Sequence, residues 1–173
     1  MEDVLKFIQK RRSIRQYKKG AAVSDAQVET LLRAAMAAPS AGNQQPWQFL
    51  VVSDRAKLEG IMQVHPYAGM LETASLAIIV CGDLGREHYP GYWVQDCAAA
   101  TQNLLLAAAN LGLGTCWCGV HPRPEREAGL RKLLGIPDGV VPFAVIAIGV
   151  PAEEKGPADY YDAARVHRET WGS

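Results

Sequence analysis

Apolar positions recur along this chain at helical and strand periods in turn. Over residues 3–10, Val4, Leu5, Phe7 and Ile8 share one side of a predicted helix, which runs into the basic cluster Lys10, Arg11 and Arg12. Ser24 and Gln27 have the spacing of a capping box. Behind them Val28, Leu31, Leu32, Ala35 and Met36 form one stripe until Pro39 stops the helix. Residues 49–52 read as a short buried strand, 55–63 as a helix, and 76–81 as an apolar strand closed by Gly82 and Asp83. A long helix is predicted over 93–113, apolar or small almost all round. Such a helix must be covered on several sides, by its own sheet and by a partner subunit. A strand over 115–120, a helix over 125–134 ending at Gly135, and a β-branched strand over 142–150 complete the core.

Helices and strands alternate, yet the helical start and the extended end do not make regular βαβ units. The pattern therefore favours an α+β sandwich over a doubly wound parallel sheet. The glycine pair Gly112 and Gly114 precedes a strand instead of following one, so the dinucleotide-binding fingerprint is missing. A length of 173 residues suits one well-buried core, and residues 1–173 are read as a single domain. Residues 151–173 are too polar for a core element and too aromatic for a simple disordered tail, which reads as a C-terminal arm that docks.

With 49% apolar and 21% charged residues, the composition is that of a globular protein. The 18 basic and 18 acidic residues cancel, so no overall field attracts nucleic acid or an anionic membrane. No apolar run approaches the length of a membrane span, and residues 1–12 are amphipathic and charged rather than a secretory signal; a cytoplasmic location is expected. Cys81, Cys97, Cys116 and Cys118 sit in apolar stretches without paired CxxC spacing, and read as buried thiols, with no metal site expected. His65, His88, His121 and His167 are scattered singly, with no partner carboxylate evident in sequence, and read as surface or packing residues.

Three segments carry chemistry. Arg11, Arg12, Ser13 and Arg15 put three guanidinium groups and a hydroxyl within five residues, a set that suits one phosphate, although alone it also reads as a solvated face. Residues 39–47 combine Pro39 and Pro46, which fix the backbone, with Gly42 and the polar side chains of Ser40, Asn43, Gln44 and Gln45. A capped turn would need only a couple of these, so the loop reads as a reader of a polar ligand. Residues 112–119 end the buried helix with glycines and open a strand whose backbone can approach a planar ligand, or simply form a cap and a strand.

Together, the order and spacing of residues 11–17, 39–47, 112–119 and 160–167 resemble the FMN-dependent nitroreductase family over nearly the whole chain. The resemblance implies an α-β-α sandwich with a mixed, mostly antiparallel sheet flanked by helices. It implies a homodimer with two FMN molecules in the interface. Reduced nicotinamide, NADH or NADPH, would pass two electrons through FMN to a small acceptor such as a nitroaromatic or quinone, by a ping-pong mechanism. By position, Arg11 and Ser13 match phosphate and ribityl ligands, with Arg12 beside them. Arg15 matches the residue that faces N1 and the C2 carbonyl of the ring, where a cation stabilises the charge of the reduced flavin. Pro39, Ser40, Asn43 and Gln45 match the loop that reaches the partner's FMN. Cys116, Cys118 and Gly119 match the strand whose backbone lines the ring and its N5 edge. Arg165 matches a second phosphate arginine, with Arg168 as the alternative register. No side-chain acid is required.

Two departures stand out. Residues 84–92 are short where larger relatives carry an insertion, and Cys118 stands where a carboxylate or larger aliphatic side chain is frequent. The competing readings are a specialised FMN enzyme, of the flavin-fragmenting or reductive dehalogenase type, which would need a lid, and a non-catalytic flavin-binding redox sensor built on Cys116 and Cys118.

Overall fold

The computed structural model describes residues 4–172; Asp3, the expected first residue of the N-terminal helix, lies outside them, as does Ser173 of the arm. Helix α1 (Val4–Lys10) leaves its apolar stripe uncovered: Val4, Leu5 and Ile8 are 70%, 59% and 44% exposed. Helix α2 (Asp25–Met36) has the predicted capping box. The Gln27 N–H donates to Ser24 Oγ at 3.2 Å and the Ser24 N–H to Gln27 Oε1 at 2.9 Å.

Strand β1 (Trp47–Val52), helix α3 (Arg55–Val64), strand β2 (Leu76–Asp83), helix α4 (Trp93–Asn110), strand β3 (Gly114–Gly119), helix α5 (Pro124–Leu134) and strand β4 (Val140–Gly149) follow. Most ends lie within two residues of the sequence reading. Helix α4 is the exception, stopping three residues earlier than its apolar run. Gly112 turns left-handed at φ 70°, the Gly112 N–H bonds Ala109 O at 3.2 Å, and the Leu113 N–H reaches back to Ala108 O at 2.9 Å. That is a Schellman stop, and it buries Leu113 outside the helix. Among the described residues no helix is long and apolar enough to cross a membrane.

The four strands form one sheet in the order β1-β2-β4-β3, each pair antiparallel. A single parallel bridge, Ser13 to Thr115, extends it beyond β3. Alternation along the strands sorts the core into two layers. Ala77, Ile79, Cys116, Cys118, Val145 and Ala147 face Leu58 and Ile61 of α3 and Leu130 of α5. Ile78, Val80, Ile146 and Ile148 face Leu31 and Ala35 of α2 and Cys97, Leu104 and Ala108 of α4. Strands β2 and β4 are thus covered on both faces, which is why their sequences run apolar without a break. The result is the α-β-α sandwich, an α+β fold.

The segment holding the arginines is laid against the outer edge of β3 and the end of β4. The Ile14 N–H donates to Thr115 O at 2.8 Å, the Lys18 N–H to Val150 O at 2.8 Å, and the buried Tyr17 hydroxyl to Ile14 O at 2.7 Å. So close an approach requires glycine beneath it. A Cβ on Gly114 would sit 2.8 Å from Ile14 Cγ2, and one on Gly149 2.9 Å from Tyr17 Cδ1. The start of the arm runs back along the same segment, with the Ala152 N–H bonding Gln16 O and the Ala158 N–H bonding Gln9 O, both at 2.9 Å. Beyond Ala158 the arm is open to solvent: Tyr160 and Tyr161 are each 79% exposed and Trp171 is 90% exposed.

Candidate functional site

Two clefts open along the β3 edge. One, about 540 Å³, lies at the start of the strand and is lined by Arg11, Arg12, Gly112, Gly114, Thr115 and the arm residues Glu153 and Lys155. The other, about 750 Å³, lies toward its end and is lined by Arg15, Cys116, Cys118, Gly119, His121 and Arg126. Both fall in the size range of small-molecule sites. The expected residues Arg11, Arg12, Ser13, Arg15, Cys116, Cys118 and Gly119 therefore lie along one edge. A Cβ at Gly119 would meet nothing within 4 Å, so this backbone faces open space.

Two arm residues hold the arginine segment in place. Glu153 Oε1 accepts from the Arg15 N–H at 2.5 Å and the Gln16 N–H at 3.2 Å. Lys155 Nζ donates to Ser13 O at 2.8 Å and pairs with Glu153 at 3.4 Å. The Arg12 guanidinium donates to Gly156 O. Arg11, by contrast, has no side-chain partner among the described residues, which leaves it the free cation of its cleft.

The Arg15 N–H, with Lys155 in support, holds the Glu153 carboxyl below the usual carboxylate range. A carboxylate with a depressed folded-state value adds stability above its unfolded value, and that stability is lost as pH falls through the folded one. Glu153→Gln should therefore lower the melting temperature at neutral pH, and the gap to the parent should close in acid. Thermal melts across pH would contradict this role if the gap stayed constant.

All four cysteines are free and buried. Cys116 and Cys118 share one face of β3 and act on each other. Its neighbour Cys118, aided by Arg15 and Lys155, draws the Cys116 thiol down against its burial. The neighbouring Cys116, together with burial, pushes Cys118 up. Cys118 Sγ rests 3.5 Å from Tyr67 O and 3.8 Å from Met70 Sδ.

The polar loop stands elsewhere. It enters β1, at the opposite edge of the sheet from β3, three strand spacings or roughly 14 Å away. Pro39, Asn43 and Gln45 are exposed and Ser40 half-buried. Asn43 and Gln45 take left-handed φ of 57° and 46°, and Gly42 one of 52°. Such backbone costs of order 1 kcal/mol per non-glycine residue and persists where its surroundings enforce it. The enforcing residue is Gln44. Its amide donates to the buried Asp96 at 2.7 Å and its oxygen accepts from the His88 and Tyr89 N–H groups at 2.8 and 3.1 Å. Asp96 also accepts from the Ala41 N–H at 2.9 Å. Thus one chain does not bring Pro39, Ser40, Asn43 and Gln45 to the β3 clefts. Nor does it bring Arg165, which is paired at 3.2 Å with Asp162 on the exposed arm.

The histidines need one correction. His121 does have a carboxylate partner, Glu127, at 2.8 Å from Nδ1, because the first turn of α5 folds back over the end of β3. His65 is buried between Gly119 O, 2.8 Å from Nε2, and the Tyr67 N–H, 3.3 Å from Nδ1. Those two backbone groups assign the proton to Nε2 and fix the Gly119 carbonyl. Sequence reasoning also passed over Asp96, Glu153, Lys155, Arg123 and Arg126. The last two had a signal: Pro124 at the first position of α5 puts the i, i+3 pair Arg123 and Arg126 on one side of a helix start.

A model of the nitroreductase family matches residues 8–68 and 63–150. A protein of Methanothermobacter thermautotrophicus that carries the provisional name NADH dehydrogenase/NAD(P)H nitroreductase is 50% identical over 169 residues, covering 98% of this chain and 88% of its own length. The FMN-dependent nitroreductase of Clostridium difficile superposes with a TM-score of 0.89 at 31% identity, covering 96% of this chain and 99% of that one. A provisionally assigned Desulfovibrio desulfuricans nitroreductase, solved in complex with FMN, gives 0.84 at 32% identity, with 99% of each chain covered. The chain belongs to the nitroreductase family.

Proposed function

We propose that this chain is an FMN-dependent oxidoreductase that transfers two electrons from NADH or NADPH to a small acceptor, nitroaromatic or quinone-like, and works as a homodimer. The observation that carries the reading is the pair of clefts on one strand edge, with free Arg11 at one end and Arg15, Cys118 and Gly119 at the other. An elongated ligand with an anionic tail and a planar head fits that spacing of charge and open backbone. FMN, when bound, supplies the exchange of two electrons between donor and acceptor.

The chain's own residues bind, orient and polarise. Arg11 and Ser13 hold the phosphate end, Arg12 and Lys155 keep the segment docked, and Arg15 presents a positive charge to the ring. Cys116, Cys118 and Gly119 offer backbone on the ring's edge. Donor and acceptor take the same cleft in turn, which gives ping-pong kinetics, and water provides the proton. Residues 1–173 act as one FMN-binding domain.

The dimer is supported by what one chain leaves uncovered. The apolar stripe of α1 is exposed. The loop with Pro39, Ser40, Asn43 and Gln45 is rigid, exposed and remote from its own cleft, so it serves the partner's. Arg165, on the free arm, reaches the phosphate in the same assembly. The burial of both thiols and the single short turn Leu84–Arg86 weigh against the redox sensor and the lidded enzyme. Initial rates of NADH and NADPH oxidation by the FMN-loaded protein, with a quinone or nitroaromatic varied, should give parallel double-reciprocal lines. Intersecting lines would overturn the ping-pong scheme, and absence of turnover the enzyme reading.

A further inference from the structure

The charge of the larger cleft is one-sided. The chain as a whole balances 18 basic against 18 acidic residues, yet the wall of this cleft carries Arg15, Arg123 and Arg126 and, among the described residues, no Asp or Glu. Two carboxylates beside its lining residues are already engaged: Glu127 with His121 at 2.8 Å and Glu153 with the Arg15 N–H at 2.5 Å. Glu125, in the same first turn as Glu127, does not line the cleft.

The two outer arginines differ usefully. Arg126 is held, its guanidinium donating to Gly119 O at 3.0 Å and lying over the Tyr67 ring at 5.4 Å from its centroid. Arg123 caps the start of α5 and has no side-chain hydrogen bond or ion pair among the described residues. It is exposed. A fixed fork and a free one side by side, at the positive end of an 11-residue helix, suit a group with several acceptor oxygens.

We propose that Arg123 and Arg126 form a subsite for an anionic group, a phosphate or carboxylate, carried by a substrate of this cleft. The proposal rests on the reading of the cleft as the place where donor and acceptor bind. The anion belongs either to the donor, as the additional phosphate that distinguishes NADPH from NADH, or to the acceptor, as an acidic substituent.

Two kinetic arms separate these sources in the FMN-loaded protein: NADPH against NADH with one neutral quinone, and 4-nitrobenzoate against nitrobenzene with one donor. In one arm the parent should favour the anionic member in kcat/KM. Arg123→Gln should reduce that preference roughly tenfold, the factor that matches loss of about 1.4 kcal/mol from a charge-assisted hydrogen bond. Arg33→Gln, a change to an exposed arginine of α2, should leave the preference as it is in the parent. Calorimetric titration with NADP+ and with 4-nitrobenzoate gives a readout independent of turnover, and Arg123→Gln should weaken one of them about tenfold as well. Equal preferences in parent and Arg123→Gln in both arms, or unchanged binding of both anions, would overturn the subsite. If no pair turns over, the enzyme reading fails, and the titrations still decide the subsite.

Discussion

Arg11→Ala should weaken FMN binding by about 1–3 kcal/mol, roughly a five- to more than hundredfold rise in Kd, while riboflavin affinity hardly moves. The expectation follows from an asymmetry between neighbours. Arg12 is tied to the Gly156 carbonyl and Ser13 to Lys155 through its own carbonyl, whereas Arg11 lines the smaller cleft with its guanidinium unpaired among the described residues. Removing it leaves no buried partner stranded, so the measured loss reports the phosphate contact and not collateral damage. Arg12→Ala should behave differently, lowering thermal stability by freeing the arm. Fluorescence titrations of the apo-protein with FMN and riboflavin separate the outcomes, and equal losses for both flavins would move the phosphate to another site.

Arg15→Gln should lower the two-electron potential of the bound flavin by about 30 to 80 mV, where roughly 30 mV corresponds to 1.4 kcal/mol for a two-electron couple. The substitution keeps a donor of similar reach and removes the charge. A guanidinium near N1 favours the reduced ring, which carries extra negative charge, over the oxidised one. Arg15 lines the larger cleft beside Cys116 and Cys118, so its charge stands at the place the ring would occupy. Its exposure in the single chain puts the expectation toward the smaller end of the range, since water screens the charge. Oxidised FMN should bind with little change. Spectroelectrochemical titration giving the same midpoint in parent and variant would take Arg15 out of the electronic role.

What the sequence made legible was local. The capping box of Ser24 and Gln27, the glycine stop at Gly135 and the unbroken apolar runs of β2 and β4 are each dictated by neighbours within a few positions, and each stands in the structure. The end of α4 was misread because its apolar run continues through Leu113, while the backbone stop depends on Gly112 turning left-handed. The arginine segment was legible as chemistry but not as architecture. What docks it are Glu153 and Lys155, some 140 residues away, and the missing side chains of Gly114 and Gly149, none of which a local pattern can mark.

The same holds for the polar loop. Its composition announced a function, but Gln44, which looked like one polar residue among four, is the one turned inward to Asp96, and that inward turn is what sets Asn43 and Gln45 outward. His121 was read as solitary because Glu127 is a partner only once α5 folds back over β3.

The most direct test of an FMN site completed by a second chain is sedimentation velocity of the FMN-loaded protein, followed by protein and by visible flavin absorbance together. Flavin should travel with a species of twice the chain mass, at one FMN per chain, and dilution that splits this species should release the flavin with it. Flavin held stoichiometrically by a species of single-chain mass would contradict the shared site, and protein sedimenting free of added FMN would contradict the cofactor itself.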